Sequence, residues 1–187
     1  MFNINYIQNT QTLDDLSSCS IIDVKNPQNY MPLYGKFFKL NKDNYNLIHL
    51  NNDLSFKKFI KRETYNIFEA EIQSAVDIVE KKEIFIKFSP IVDPTRYMMG
   101  KFDCSASLFK LPSFIEEKEI NERVLEENNS SYVDAFFSFL LSKIKHTHKF
   151  VNAIDYYGSF LANLPDYRID IYDDLVGKVK AAESRGI

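Results

Sequence analysis

Between Phe68 and Ile72 apolar residues alternate with acids: Phe68, Ala70 and Ile72 are separated by Glu69 and Glu71. A period of two sends side chains to opposite sides of an extended chain, so one face meets a core and the other meets water. The pattern predicts a strand over residues 65–72. The polar stretch Glu80 to Glu83 then leads into EIFIKFSPI, whose aromatic and β-branched content and closing Ser89-Pro90 predict a second strand, with Lys87 inside it. Residues 65–92 are therefore expected to form a long hairpin. The competing reading makes SAVDIVEKK a short helix between the two strands.

Other segments are placed around this hairpin. The first 35 residues read as an irregular entry with one or two short strands, because short apolar clusters alternate with turn-prone stretches such as NPQN. KFFKL and NYNLIHL, joined by NKDN, predict another hairpin. TRYMMGKFDCSASLFKLPSF has no clean period and reads as loop with at most one short strand. Glu116 to Asn128 has Ile120, Val124 and Leu125 at helical spacing and predicts an exposed amphipathic helix. The main helix is expected over 131–146, opened by a capping box of Ser131 with Asp134. Val133, Phe136, Phe137, Leu140, Leu141 and Ile144 would form its buried face. AIDYYGSFLA and YRIDIYDDL, joined by NLPD, predict a last hairpin. Residues 176–187 form a tail, helical or frayed. The expected class is α+β: a mostly antiparallel sheet of hairpins packed against one main helix, in a single domain over 1–175.

Composition narrows the partners. With 45% hydrophobic residues the chain of 187 residues has ample material for a core. A net charge of -3 supplies no positive field, so nucleic acid is an unlikely partner. The longest apolar runs, such as Ala135 to Leu141, fall far short of a bilayer span, so no membrane partner is expected. Cys19 and Cys104 stand far apart and no leader pattern opens the chain, which fits free thiols and a cytoplasmic location. Lysine outnumbers arginine 18 to 5, and five glycines argue against a glycine-rich phosphate loop.

Few residues suggest chemistry. Lys87, in the apolar phrase IFIKF, stands where a strand lysine would hold nucleotide phosphate, or it simply carries its ammonium into solvent. His146 and His148 form an H-x-H pair, read either as metal ligands or as polar residues favourable at a helix C-terminus. His49 is alone in a strand. Asp155, Asp170, Asp173 and Asp174 would serve as acids, bases or metal ligands, or as solvated charges. Neither cysteine has a basic neighbour to activate its thiolate. The aromatic load, with Phe136, Phe137, Phe139, Tyr156 and Tyr157, exceeds what one helix face and one strand face need, which favours a protein-binding surface alongside plain core packing.

KEIFIKFSPIVDPTRYMMGK, SSYVDAFFSFLLSKIKHTHKFVNAIDYYGSFLA and YRIDIYDDL together resemble the N-terminal part of uncharacterised kinase-like proteins of large nucleocytoplasmic DNA viruses, the giant viruses. The resemblance covers roughly residues 65–175. It implies a kinase small-lobe arrangement with Lys87 as the nucleotide-contacting lysine. The departures are the missing G-x-G-x-x-G, Phe85 in place of a small residue two positions before the lysine, no glutamate on the 131–144 helix to pair with Lys87, and no H-R-D or D-F-G. The expected function is a non-enzymatic viral accessory module with a protein partner, located in host cytoplasm or virus factory. The alternative is the nucleotide-binding part of a phosphotransferase completed by another chain or by further residues. No catalytic residue, metal ligand or cofactor is expected, save ATP with magnesium at Lys87 under that alternative.

Overall fold

The computed structural model describes residues 6–8, 11–50, 53–102, 105–115, 119–165 and 167–168. Their architecture is α+β, with antiparallel strand pairing and one long helix. In chain order the elements are β1 (Tyr6–Gln8), α1 (Gln11–Ser17), β2 (Lys25–Gln28), a 3-10 turn at Pro32–Lys36, β3 (Ile48–Leu50), β4 (Leu54–Arg62), β5 (Ile67–Ser74) and β6 (Val79–Phe85). There follow α2 (Pro94–Met98), a 3-10 turn at Ala106–Phe109, α3 (Glu122–Leu125), α4 (Ser130–His148) and β7 (Leu161–Asn163). β1 pairs with β3 and β2 with β7, while β4, β5 and β6 form a three-stranded meander.

The alternating phrase forms β5, with Phe68, Ala70 and Ile72 buried as expected. Its connection to β6 is a turn and not a helix. Ser74 N–H donates to the Ile78 carbonyl at 2.8 Å, and Asp77 takes φ 61°, a left-handed conformation that aspartate tolerates. β6 begins and ends earlier than expected, so Lys87 lies two residues beyond it in the segment leaving the sheet. In β4 Phe56, Phe59 and the exposed Arg62, which oppose the core residues of β5, recur every three positions, against the two that a regular strand requires. Two register shifts, between Phe56 and Lys58 and between Phe59 and Lys61, reconcile the spacing by opposing these residues to Ile72, Ala70 and Phe68.

Apolar side chains gather into two cores. Leu13 and Leu16 of α1, with Ile22 and Val24, cover the inner face of the meander. Tyr132, Phe136 and Phe139 of α4 pack with Leu33 and Tyr34 of the first 3-10 turn, Ile48 and Leu50 of β3, Tyr156 and Leu161. The extended stretch into β7 runs between the cores: Tyr156 and Leu161 join the second, while Tyr157, Phe160 and Ala162 pack against the first.

Several local expectations are corrected. KFFKL and NYNLIHL do not pair. Pro32 starts a 3-10 turn, Phe37 stacks on Phe136 at 4.4 Å, and the NKDN stretch folds on itself as Asn41 Oδ1 accepts from the Asp43 and Asn44 amides. The helix expected over 116–128 is, among the described residues, only α3, because Asn121 caps its start and the chain turns extended at Glu126. The loop after Pro94 contains α2 and a 3-10 turn rather than a strand. The main helix runs from Ser130 to His148, and its N-cap is Asn129, whose side chain accepts from the Ser131 amide at 3.0 Å, in place of a Ser131–Asp134 box. Its buried face is Tyr132, Phe136, Phe139 and Ser142, leaving Val133 and Phe137 exposed. Of the last expected hairpin only β7 is seen, paired with β2; residues 169–187 lie outside the described part.

Candidate functional site

The segment 86–91 that leaves β6 is stitched to the start of α4. Lys87 Nζ donates to Asp134 Oδ2 at 2.7 Å, Ser89 Oγ to Ser131 Oγ at 3.0 Å, Ser131 Oγ to the Pro90 carbonyl at 2.8 Å, and Asn129 Nδ2 to the Ile91 carbonyl at 2.9 Å. The sequence places these residues locally: β6 has ended at Phe85, Pro90 lacks the N–H that a further ladder bond would need, and Asn129 opens the helix. Asp134 stands one turn inside, on the side facing the strand exit.

Lys87 therefore has an acidic partner on α4, an aspartate, where the resemblance drawn from the sequence implies a glutamate. Sequence reasoning missed it by looking for glutamate and by assigning Asp134 to Ser131. The sequence shows the carboxylate in the first turns of α4, but not its nearness to Lys87, 47 positions earlier. The pair is open to water, with side chains 63% and 42% exposed. Such a pair contributes at most about 1 kcal/mol. The helix N-terminus, which would otherwise attract phosphate, already has an amide satisfied by Asn129. Among the described residues, open recesses lie elsewhere, one beside Lys101, Phe102 and Arg123 and another beside Gln28, Lys110 and Asn163.

Each remaining candidate has a structural setting. His146 Nε2 and Lys145 Nζ both stand 2.9 Å from Asp155 Oδ1. The lysine hydrogen bond, against a smaller effect of burial, holds the Asp155 carboxyl below the usual carboxylate range. His148 turns to Thr147, its Nδ1 2.7 Å from Oγ1, so the H-x-H pair does not converge. Among the described residues no three His, Cys, Asp or Glu side chains gather as a metal site. His49 is 4% exposed, and burial, helped by the charge of Lys57, depresses its pKa to about 4. The imidazole is neutral at neutral pH and lies against Gly158, where an added Cβ would be 2.6 Å from Nε2. Burial raises the phenols of Tyr132 and Tyr156, which stay protonated; Tyr132 Oη donates to the Val124 carbonyl at 2.8 Å, and the Tyr156 and Ser159 hydroxyls share a hydrogen bond. Cys19 is a half-buried free thiol, whereas Cys104, Asp170, Asp173 and Asp174 lie outside the described residues.

Exposed apolar groups form the more extended feature. Phe137 is 58% exposed and stands one helical turn from exposed Val133 on the outer side of α4. Phe37, also exposed, stacks on the neighbouring Phe136. Comparison with family models, curated proteins and solved structures finds no match to this chain.

Proposed function

We propose that this chain is a non-enzymatic protein-interaction module, a relative of the small lobe of the giant-virus kinase-like proteins it resembles, acting in the cytoplasm by binding another protein. The observation that carries the reading is the pair of exposed apolar side chains Val133 and Phe137, one turn apart on a helix whose other face is fixed in the core by Tyr132, Phe136 and Phe139. Rigid, exposed aromatics supply contact area at low entropic cost, which is what binding faces use. The test is retention of a partner on the immobilised chain, compared between wild type and Phe137→Glu. The expected result is a retained protein that the variant loses by roughly tenfold or more, with unchanged circular dichroism and melting temperature. Equal retention by both proteins sinks the reading.

A second reading is supported by the Lys87–Asp134 pair: a lysine tied to a helix carboxylate is one part of a kinase nucleotide-binding lobe, although there the lysine lies within the strand and the acid is a glutamate. Under it, Lys87 contacts the phosphates of ATP with magnesium, and another chain supplies the catalytic groups. It predicts that ATP with magnesium raises the melting temperature and that Lys87→Ala removes the rise.

A further inference from the structure

β6 is an outer strand of the meander, and among the described residues it pairs only with β5. The direction of its free hydrogen bonds follows from the two ends of that pairing. Ser74 N–H donates to Ile78 O, and Ile86 N–H donates to Asn66 O. Bonded and non-bonded pairs alternate along an antiparallel ladder, so residues 80, 82 and 84 direct their backbone groups to β5. Val79, Lys81, Glu83 and Phe85 therefore direct theirs outward, to the edge that no strand among the described residues covers. The same four residues project from the solvent face of the sheet and are all exposed, Val79 at 49% and Phe85 at 66%.

We infer that this edge pairs with β6 of a second copy of the chain, antiparallel and two-fold symmetric about Lys82, giving a continuous six-stranded sheet. The register is selected by the side chains. With Lys82 on the axis, Lys81 meets Glu83 of the second copy and Val79 meets its Phe85, and symmetry repeats both matches. Shifting by two residues either way sets Lys81 against Lys81 or Glu83 against Glu83. Shifts by one place outward-bonding groups opposite inward-bonding ones and break the ladder. Among these registers, the one centred on Lys82 alone brings opposite charges and apolar partners together at the four outward-bonding positions 79, 81, 83 and 85.

Charges on an edge strand ordinarily discourage pairing. Here they discourage strands of other sequence and of other register, but not this one. The remaining like-charge contact is Lys82 against Lys82 at the axis, and each is bridged within its own chain by Glu80 Oε2 at 3.2 Å. The inference rests on the open edge of β6 and not on the outer face of α4, so it stands or falls apart from the partner-binding reading.

The test is the solution mass of the full chain by sedimentation, for wild type, Lys81→Glu, Glu83→Lys and the double exchange. Wild type is expected to approach twice 21.9 kDa as concentration rises. Each single variant sets like charges opposite one another at both symmetric positions, and its dimer dissociation constant is expected to rise roughly tenfold or more. The double exchange restores the dimer, and an equimolar mixture of the two single variants forms a mixed dimer, because one then carries two acids and the other two lysines. That rescue excludes misfolding as the cause of the loss. Wild type remaining monomeric at every concentration, or dimers indifferent to Lys81→Glu, overturns the inference.

Discussion

A methyl group on Gly158 would sit 2.6 Å from Nε2 of His49, and the backbone there, at φ 144°, is one that other residues rarely adopt. Gly158→Ala is therefore expected to cost roughly 2–4 kcal/mol, from overpacking together with backbone strain, read as a lower urea midpoint. His49 itself gives stability a pH dependence. Its pKa of about 4 lies below the ordinary 6.5, so between those values the unfolded chain binds a proton that the folded chain does not. Stability accordingly falls as pH drops from 6.5 towards 4, by roughly 3 kcal/mol over the window, and is recovered as pH rises. His49→Gln, which does not titrate, is expected to flatten that part of the profile; an unchanged slope contradicts the burial argument. At this scale the sequence was partly legible. NLIHL shows His49 inside an apolar phrase, which hints at burial, but the close approach of Gly158, distant in sequence, is a tertiary contact that no local spacing encodes. The pairing of Lys87 with Asp134 was hidden in the same way.

Among elements, the junction of β6 with α4 is held more by Asn129 than by the ion pair. Asn129 caps the helix and also donates to the Ile91 carbonyl. Asn129→Ala is expected to cost about 1–2 kcal/mol, whereas Lys87→Ala, which removes an exposed pair, should cost no more than about 1 kcal/mol. Thermal denaturation of the two variants gives the order directly. Elements with a strong local period were readable from sequence: β5 from its alternation, and α4 from its helical repeat. Which face of α4 is buried was not, because apolar residues surround more than half the helix and only the partners in β3 and the 3-10 turn choose Tyr132, Phe136 and Phe139. β4 escaped notice because its core residues are three apart, a spacing that two bulges accommodate and that no strand template contains. The KFFKL hairpin failed for the opposite reason: the turn chemistry of NKDN was read correctly, but the flanking aromatics pack onto α4 instead of pairing.

Over the whole molecule, two cores share the stretch from Tyr156 to Ala162, whose side chains divide between them. Such a shared stretch couples the cores, so Ile72→Ala in the first and Phe139→Ala in the second, each costing roughly 2–5 kcal/mol, are expected to lower one common unfolding transition. Two separated transitions in either variant would show the cores to be independent. AIDYYGSFLA read as strand-like in the sequence because both of its faces are apolar; what it lacks is a paired neighbour along most of its length, and that is a matter of tertiary arrangement. No helix among the described residues is long and apolar enough to cross a membrane. We propose a chain that binds a protein partner, with Lys87 serving as a surface tie to Asp134 rather than as a nucleotide contact. The most direct test is thermal denaturation with and without millimolar ATP and magnesium, run beside Lys87→Ala. The account predicts no shift in either protein. A rise in the wild type that Lys87→Ala abolishes would contradict it and make this the nucleotide-binding lobe of a larger enzyme.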